Sequence, residues 1–142
     1  MESANPDYQV EAQRVFYEAP FIQSLGAELV ELAPGHCHSL IRIDDHHQQQ
    51  DGFIHAGVQA TLADHTAGTA AATLIPAGKR VLTAEFKINL LRAAQGQTLR
   101  AEATVLKPGR MLTVAEAEVY TEGEKRQLVA KATVTLAIVD AS

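Results

Sequence analysis

Residues 56–74 read AGVQATLADHTAGTAAATL, and this stretch decides how the rest of the chain must fold. It holds seven alanines, two glycines and four threonines, with Val58, Leu62 and Leu74 at roughly helical spacing. The pattern predicts one long helix with a small-residue surface, which the sequence IPAG at residues 75–78 ends. Glycine and threonine lower the intrinsic helix propensity, so burial against a sheet has to compensate.

Four strands are predicted after this helix, separated by turns that contain glycine. Between Val81 and Leu91 the even positions are apolar and the odd positions are polar. This period of two predicts a strand whose even positions share one face. Further strands are predicted at residues 99–105, 111–121 and 128–139.

The N-terminal part supplies one helix and two more strands. Residues 1–20 are predicted to form a helical segment, with a helix over residues 6–18 that Pro20 stops. Two strands, Ala27–Leu32 and Cys37–Ile43, follow and are joined by a proline-glycine turn.

The order of these elements is typical of an α+β fold with a largely antiparallel sheet. A sheet of five to six strands wrapped around one long central helix would bury the alanine-rich surface. The length of 142 residues fits one core, so residues 1–142 are expected to form a single domain.

Composition excludes several classes of function. The formal net charge of −5 argues against general nucleic-acid binding, which needs a basic face. No apolar run reaches the roughly 18 residues that span a bilayer, and the polar N-terminus does not resemble a signal peptide. Cys37 is the single cysteine, so no intramolecular disulfide can form. We therefore expect a cytoplasmic protein with no nucleic-acid or membrane partner.

The six histidines raise the question of a metal site. His36 and His38 are expected on one side of a strand, with Cys37 on the other, and His46-His47 forms a loop pair. None of these has the ligand spacing typical of a structural zinc site. Surface histidines, a core cysteine and neither metal nor cofactor are therefore predicted.

The start of the long helix carries the residues best suited to chemistry. Ala56 and Gly57 lack bulk, so a ligand can approach their backbone N–H groups, which have no partner within the helix. Together with the helix dipole these groups attract a developing oxyanion. Asp64 lies two turns further on in an apolar stretch, where a carboxylate can act as nucleophile or general base. A solvent-exposed or locally hydrogen-bonded Asp64, and an ordinary loop histidine at position 55, are the alternatives.

Helix geometry places these groups too far apart for one subunit. Eight residues of helix span about 12 Å. A two-fold dimer with paired helices would bring Ala56 of one subunit to Asp64 of the partner subunit, so a shared, interfacial site is the hypothesis.

Two motifs resemble the PaaI-type branch of the hotdog-fold thioesterases. They are Gly52-x-x-His55-Ala56-Gly57 and Leu62-Ala63-Asp64-x-x-x-Gly68. Residues 81–89 and the turn at residues 108–110 are also similar to that family, and the likeness covers roughly residues 22–139. It implies the hotdog fold and hydrolysis of an acyl-CoA thioester to free acid and CoA, without metal or cofactor.

The resemblance also assigns roles. Asp64 would be the nucleophile or general base, and the Ala56 N–H of the partner subunit would polarise the thioester carbonyl. Gln49 would contact the thioester, Thr83 would orient water, and His55 would shape the loop. Two residues depart from the family pattern, since Ala56 replaces a glycine and Gln49 replaces the commoner asparagine.

Basic residues near turns are the candidates for binding the CoA phosphates. Arg110 is the first choice, with Lys107 and Arg92 next. The expected assembly is a homodimer or a homotetramer, a dimer of dimers. Two alternatives stay open: a hotdog hydratase or dehydratase, which would use a histidine with a helix glutamate, and a non-catalytic acyl-CoA-binding module.

Overall fold

The computed structural model describes residues 1–141 and places one antiparallel sheet of six strands around a 17-residue helix. The helices are α1 (Tyr8–Tyr17), α2 (Pro20–Leu25), a 3-10 turn (Asp45–His47) and α3 (Ala56–Ala72). The strands are β1 (Glu28–Ala33), β2 (His36–Arg42), β3 (Lys79–Leu90), β4 (Thr98–Lys107), β5 (Leu112–Glu122) and β6 (Gln127–Asp140). Within residues 1–141, no helix has the length and apolar character needed to cross a bilayer.

The core lies between α3 and the inner face of the sheet, whose strand order is β1-β2-β4-β5-β6-β3. Every residue from Thr66 to Ala72 is buried, so the second half of the helix is enclosed on all sides. The alternating apolar residues of β4, β5 and β6 point at it. The small α3 side chains let the strands approach closely, which confirms the predicted hotdog fold.

Two polar contacts within the core involve α3. The Thr66 hydroxyl donates to the Leu62 carbonyl at 2.6 Å and lies 2.6 Å from the Ser39 hydroxyl on β2.

Burial raises the pKa of the Cys37 thiol, also on β2, to about 12. The thiol therefore stays protonated, in agreement with a core cysteine rather than a nucleophile.

A β-bulge in β3 changes which side chains face the helix. The register against β6 shifts between Thr83 and Glu85, because one extra residue is inserted there. Leu82 lines a surface hollow with Val139, whereas Phe86 lines a different hollow beside α3. The prediction that all even positions share one face is therefore wrong at Leu82, and Thr83 points to the helix instead.

The N-terminal segment forms two helices rather than one. Pro20 ends the first helical pattern, as predicted, but it also occupies the first turn of α2. Proline suits that position because its missing N–H has no partner there in any case. Phe16 is fully buried, and its carbonyl accepts a 3.0 Å hydrogen bond from His65 Nε2. This contact ties α1 to α3.

The two edges of the sheet differ in character. β1 is a six-residue strand with a bulge and exposed glutamates. β3 is a 12-residue strand on which Leu82, Phe86 and Leu90 are 45–59% exposed. The long, apolar edge is therefore β3.

Candidate active site

The first turn of α3 leaves one backbone amide without a partner. His55 is the N-cap, and its Nδ1 accepts a 2.8 Å hydrogen bond from the Gly57 N–H. Val58 and Gln59 donate to the His55 carbonyl. Within residues 1–141 the exposed Ala56 N–H has no acceptor. The expectation of two free amides is therefore corrected, because Gly57 is already engaged and Ala56 alone is free.

The hydrogen bond from the Gly57 N–H to His55 explains why a histidine stands at position 55 and a glycine at position 57. Since Nδ1 accepts a hydrogen bond, the neutral ring carries its proton on Nε2, and that N–H is exposed. A Cβ on Gly57 would lie only 3.0 Å from His55 Nδ1. Glycine at this position therefore lets the imidazole approach the helix start. His55 was predicted to shape the loop, and the structure places its ring against the first turn.

Gln49 lines the same hollow as Ala56. Its Oε1 accepts hydrogen bonds from the Asp51 and Phe53 N–H groups, at 2.5 and 3.2 Å. This closed turn holds the side chain in a hollow of about 410 Å³ that Ala56 and Arg92 also line. The carbonyl oxygen of the amide is already engaged, so the Nε2 end of Gln49 is the part left for a ligand.

Gln59 lines the same hollow and was not singled out from the sequence. Its Nε2 donates to the Ile54 carbonyl at 3.2 Å, which fixes the orientation of the amide. The residue is 4% exposed, and among residues 1–141 nothing donates to its Oε1. A buried acceptor without a donor costs free energy, so this oxygen is suited to receive a hydrogen bond from a ligand. Only the orphaned oxygen reveals this, because a glutamine on a helix carries no sequence signal.

Asp64 lies in a second hollow, of about 280 Å³, between α2, α3 and β3. The Thr83 hydroxyl donates a 2.7 Å hydrogen bond to Asp64 Oδ1. Phe21 and Phe86 line the apolar side of this hollow, and His65 lies beside the carboxylate. Burial lowers the pKa of His65, so the ring next to Asp64 is neutral at pH 7. The carboxylate is thus fixed at one oxygen beside an apolar surface.

The chain therefore presents two separate clusters of candidate residues, which are termed half-sites. One half has the free Ala56 amide and the other has Asp64 with Thr83. The two halves are eight residues of α3 apart, or about 12 Å. Leu90 lines the first hollow and Phe86 the second, so both open along β3.

Comparison with known proteins identifies the family. The sequence profile of the thioesterase superfamily matches residues 51–127, a segment that contains both half-sites. The chain belongs to the thioesterase superfamily.

The relatives of this thioesterase include proteins named as a thioesterase family member and as a CoA hydrolase, together with a solved structure that shares the fold. A thioesterase family protein from Silicibacter pomeroyi is 36% identical, covers 94% of this chain and 99% of its own, and superposes with a TM-score of 0.92. The 1,4-dihydroxy-2-naphthoyl-CoA hydrolase of Listeria monocytogenes is 26% identical over 80% of this chain and 93% of its own. The E. coli PaaI protein is 18% identical with a TM-score of 0.85 over 99% of both chains, which shows the shared fold. The family resemblance drawn from the sequence is confirmed.

The three basic residues expected to bind CoA phosphates do not lie together in this chain. Arg92 lines the hollow at Ala56, where its Nη1 donates to the Leu128 carbonyl at 2.7 Å. Arg110 lines another hollow with Lys79, beyond the C-terminal end of α3. Lys107 is exposed at the end of β4. The structure thus places Arg92 beside one half-site and Arg110 at the opposite end of the helix.

Proposed function

We propose that this thioesterase hydrolyses acyl-CoA thioesters to free acid and CoA at a site shared by two subunits. The observation that carries the proposal is the Thr83–Asp64 hydrogen bond in one half-site, with a free Ala56 N–H in the other. A hydrolytic site needs both an oxygen base or nucleophile and an oxyanion donor. Each subunit supplies both, but about 12 Å apart, so a pair of subunits would complete two sites.

The chemistry follows from these groups. The thioester carbonyl would lie against the Ala56 N–H, which accommodates the negative charge as the carbonyl carbon becomes tetrahedral. Asp64 of the partner subunit would either remove a proton from the attacking water or attack the carbon itself. When the tetrahedral intermediate collapses, the C–S bond breaks and CoA leaves as the thiolate, which then takes up a proton. A thiol with a pKa near 8.5 is a good leaving group, so the reaction needs no further activation.

Isotope labelling can detect direct attack by Asp64, since only that route leaves label on the enzyme. In a single turnover in H₂¹⁸O, a water activated by Asp64 puts the label directly into the acid product. Direct attack by Asp64 forms an anhydride, and its hydrolysis by water at the aspartyl carbon leaves the label on the enzyme. Mass spectrometry of the product and of the peptide that contains Asp64 reads both outcomes.

The exposed β3 edge supports the pairing of subunits. Two β3 strands running antiparallel about a two-fold axis near Lys87 would set Leu90 of one subunit opposite the partner subunit's Ala84. The Ala56 half-site would then adjoin the partner subunit's Thr83 and Asp64. The same contact would cover the half-exposed apolar side chains of β3. A homodimer, or a homotetramer built from two such dimers, is the proposed assembly.

Mixed dimers test the shared site. Ala56→Pro replaces the amide hydrogen with the ring carbon Cδ and should keep the helix start, because proline is accepted in the first turn of a helix and His55 already has the extended conformation (φ −59°, ψ 137°) that proline requires of its predecessor. Ala56→Gly is the matched control, since it keeps the N–H. Asp64→Asn removes the reactive carboxylate with little change in shape.

Each of Ala56→Pro and Asp64→Asn is expected to be inactive alone. After unfolding and joint refolding, an equal mixture should recover about a quarter of the wild-type rate, because half of the dimers are mixed and each has one intact site. A mixture as inactive as its components would contradict the shared site. Undiminished hydrolysis by Asp64→Asn would contradict the chemistry itself.

A panel of short, medium, long-chain and aryl acyl-CoA substrates tests the reaction class, with thiol release as the readout. Hydrolysis of any of them above the rate without enzyme supports the proposal. Binding of acyl-CoA with no hydrolysis of any panel member would instead indicate an acyl-CoA-binding module.

The single thiol, that of Cys37, is buried and protonated and so fits the cytoplasm, which we propose as the compartment.

A further inference from the structure

A cluster of histidine and glutamate side chains lies on the outer face of the sheet, away from α3. His36 and His38 come from β2, Glu31 from β1 and Glu102 from β4. Glu31 is paired with His38 on one side, and Glu102 is paired with His38 on the other. The ligand atoms of Glu31, His36 and His38 all lie within 4.8 Å of one another.

A β-bulge in β1 brings Glu31 into this cluster. Leu29 pairs with Ser39 and Glu31 pairs with His38, so Val30 is the inserted residue. Without it, the regular alternation would turn Glu31 toward the core. Bulges often redirect a side chain beside a functional site.

The spacing within the cluster suits an ion better than direct hydrogen bonds. Glu31 Oε1 is 3.7 Å from His36 Nε2, and Glu31 Oε2 is 3.7 Å from His38 Nδ1. These distances are too long for hydrogen bonds, which end near 3.2 Å. Ligands bound at 2.0–2.2 Å around a tetrahedral zinc ion lie about 3.4 Å apart, so small side-chain rotations would close the shell.

The two imidazoles of the cluster lie close together. The ring centroids of His36 and His38 are 4.4 Å apart, and both side chains are only partly exposed.

We propose that Glu31, His36 and His38 form a binding site for a divalent transition-metal ion, with Zn²⁺ as the ion best matched to their ligands. Two imidazoles and a carboxylate are a ligand set typical of Zn²⁺ and unlike the all-oxygen sites of Mg²⁺ and Ca²⁺. Glu102 lies next to the site, with Oε2 3.8 Å from His38 Nδ1. Arg126 holds its other oxygen at 2.9 Å, so Glu102 is placed as a candidate fourth ligand. The ion would fasten the edge strand β1 to its neighbour β2.

The sequence argued against a metal here because the histidines do not have the ligand spacing typical of a structural zinc site. The third ligand, Glu31, comes from the neighbouring strand β1, and the bulge in β1 is what places it on the outer face of the sheet.

Zinc titration of the untagged, chelator-treated full chain tests the site. Isothermal titration calorimetry is expected to show one Zn²⁺ per chain, and bound Zn²⁺ should raise the melting temperature. Co²⁺ in place of Zn²⁺ should give the visible absorption of a tetrahedral site. Neither readout depends on hydrolysis, so failure here is distinct from failure of the proposed activity.

Variants assign the ligands. His38→Gln and Glu31→Gln should each weaken Zn²⁺ binding by at least the roughly tenfold that loss of an outer partner costs. His46→Gln is the matched control, since His46 is an exposed histidine outside the cluster, and it should bind as the wild type does. Circular dichroism in chelator verifies that each variant is folded, and His36→Gln replaces any that is not. Wild-type zinc affinity in all three ligand variants, or no binding below millimolar Zn²⁺, would overturn the proposal.

Discussion

Thr83 on β3 donates its hydroxyl hydrogen to Asp64 on α3 at 2.7 Å, across the boundary between sheet and helix. The bond exists because the bulge after Thr83 shifts the alternation of β3. Because this hydrogen bond fixes Oδ1 of Asp64, the orientation of the whole carboxylate is set, and its other oxygen is left to react with a substrate or a water molecule. The same threonine thus connects the shape of the sheet to the proposed chemistry.

Thr83→Val should lower kcat by roughly tenfold to a hundredfold, the value of a hydrogen bond to a charged group. Thr83→Ser keeps the hydroxyl and should retain most of the rate. Thr133→Val, an exposed threonine on β6, is the control for the substitution itself. Steady-state kinetics on the best acyl-CoA substrate measures all three, and equal rates for Thr83→Val and wild type would show that the bond has no catalytic role.

Gln59→Met should raise KM by about tenfold, because it removes the buried acceptor that a bound ligand would satisfy. Methionine has a similar length and leaves the hollow filled. We expect kcat to change less than KM, since Gln59 is not placed at the reacting atoms. Gln13→Met, at an exposed position on α1, controls for the added thioether. An unchanged KM would mean that the Gln59 oxygen does not meet substrate.

The free energy of unfolding should fall as pH drops from 7.5 to 5.5. Burial lowers the pKa of His65, and this outweighs the Phe16 carbonyl and the Asp64 carboxylate, which both favour the charged ring. The unfolded chain, with an ordinary histidine pKa near 6.5, therefore binds more protons than the folded chain below that pH. The contribution of His65 to the free energy of unfolding is therefore complete above pH 6.5. It is lost as the pH falls toward the lowered pKa that His65 has in the folded state.

Urea denaturation at fixed protein concentration across this range measures the slope. His65→Gln can still donate to the Phe16 carbonyl and should flatten the slope, whereas His46→Gln, at an exposed position, should not. Burial also lowers the pKa of His38, so the free energy of unfolding should keep some dependence on pH in both variants. Parallel curves for wild type and His65→Gln would refute this account.

The buried hydroxyl pair of Ser39 and Thr66 should respond asymmetrically to substitution. Thr66 donates to the Leu62 carbonyl, so the Ser39 hydroxyl must donate to Thr66. Thr66→Val leaves the Ser39 hydroxyl buried without an acceptor and should cost about 1–3 kcal/mol. Ser39→Ala leaves Thr66 still bonded to Leu62 and should cost about 1 kcal/mol.

The double substitution should be less destabilising than the sum of the two single ones, because no unsatisfied hydroxyl remains. Chemical denaturation of the four proteins gives the coupling. Strict additivity would show that the hydroxyl contact itself contributes nothing.

The fold was largely predictable because most of its determinants are local. Alternating apolar residues indicate the strands β4 and β6, and an alanine-rich composition indicates the helix α3. Because the side chains of α3 are so small, this helix needs a sheet packed around it. The bulge at Ala84 was not predictable, since its cause is pairing with β6, distant in sequence. The second helix at Pro20 was missed because a proline that ends one helix can also begin the next.

The candidate site was predictable only as a set of residues. The motifs and the family resemblance drew attention to Ala56, Asp64 and Thr83. The side-chain contacts came from the structure, because they depend on rotamers: the ring of His55 takes the Gly57 amide, and the Gln59 oxygen is left without a donor. The sequence indicated a partner subunit only through the length of α3 and the family resemblance, and that subunit stays a proposal.

The unequal edges of the sheet have a consequence for growth of the assembly. Edge-to-edge association through both sides would polymerise the chain into a fibre. The short, bulged β1 with its glutamates is a poor template, whereas β3 is long and apolar. In the proposed dimer, one β3 would pair with another about a two-fold axis, so this edge of each chain would be covered and edge-to-edge growth of the sheet would stop at two chains.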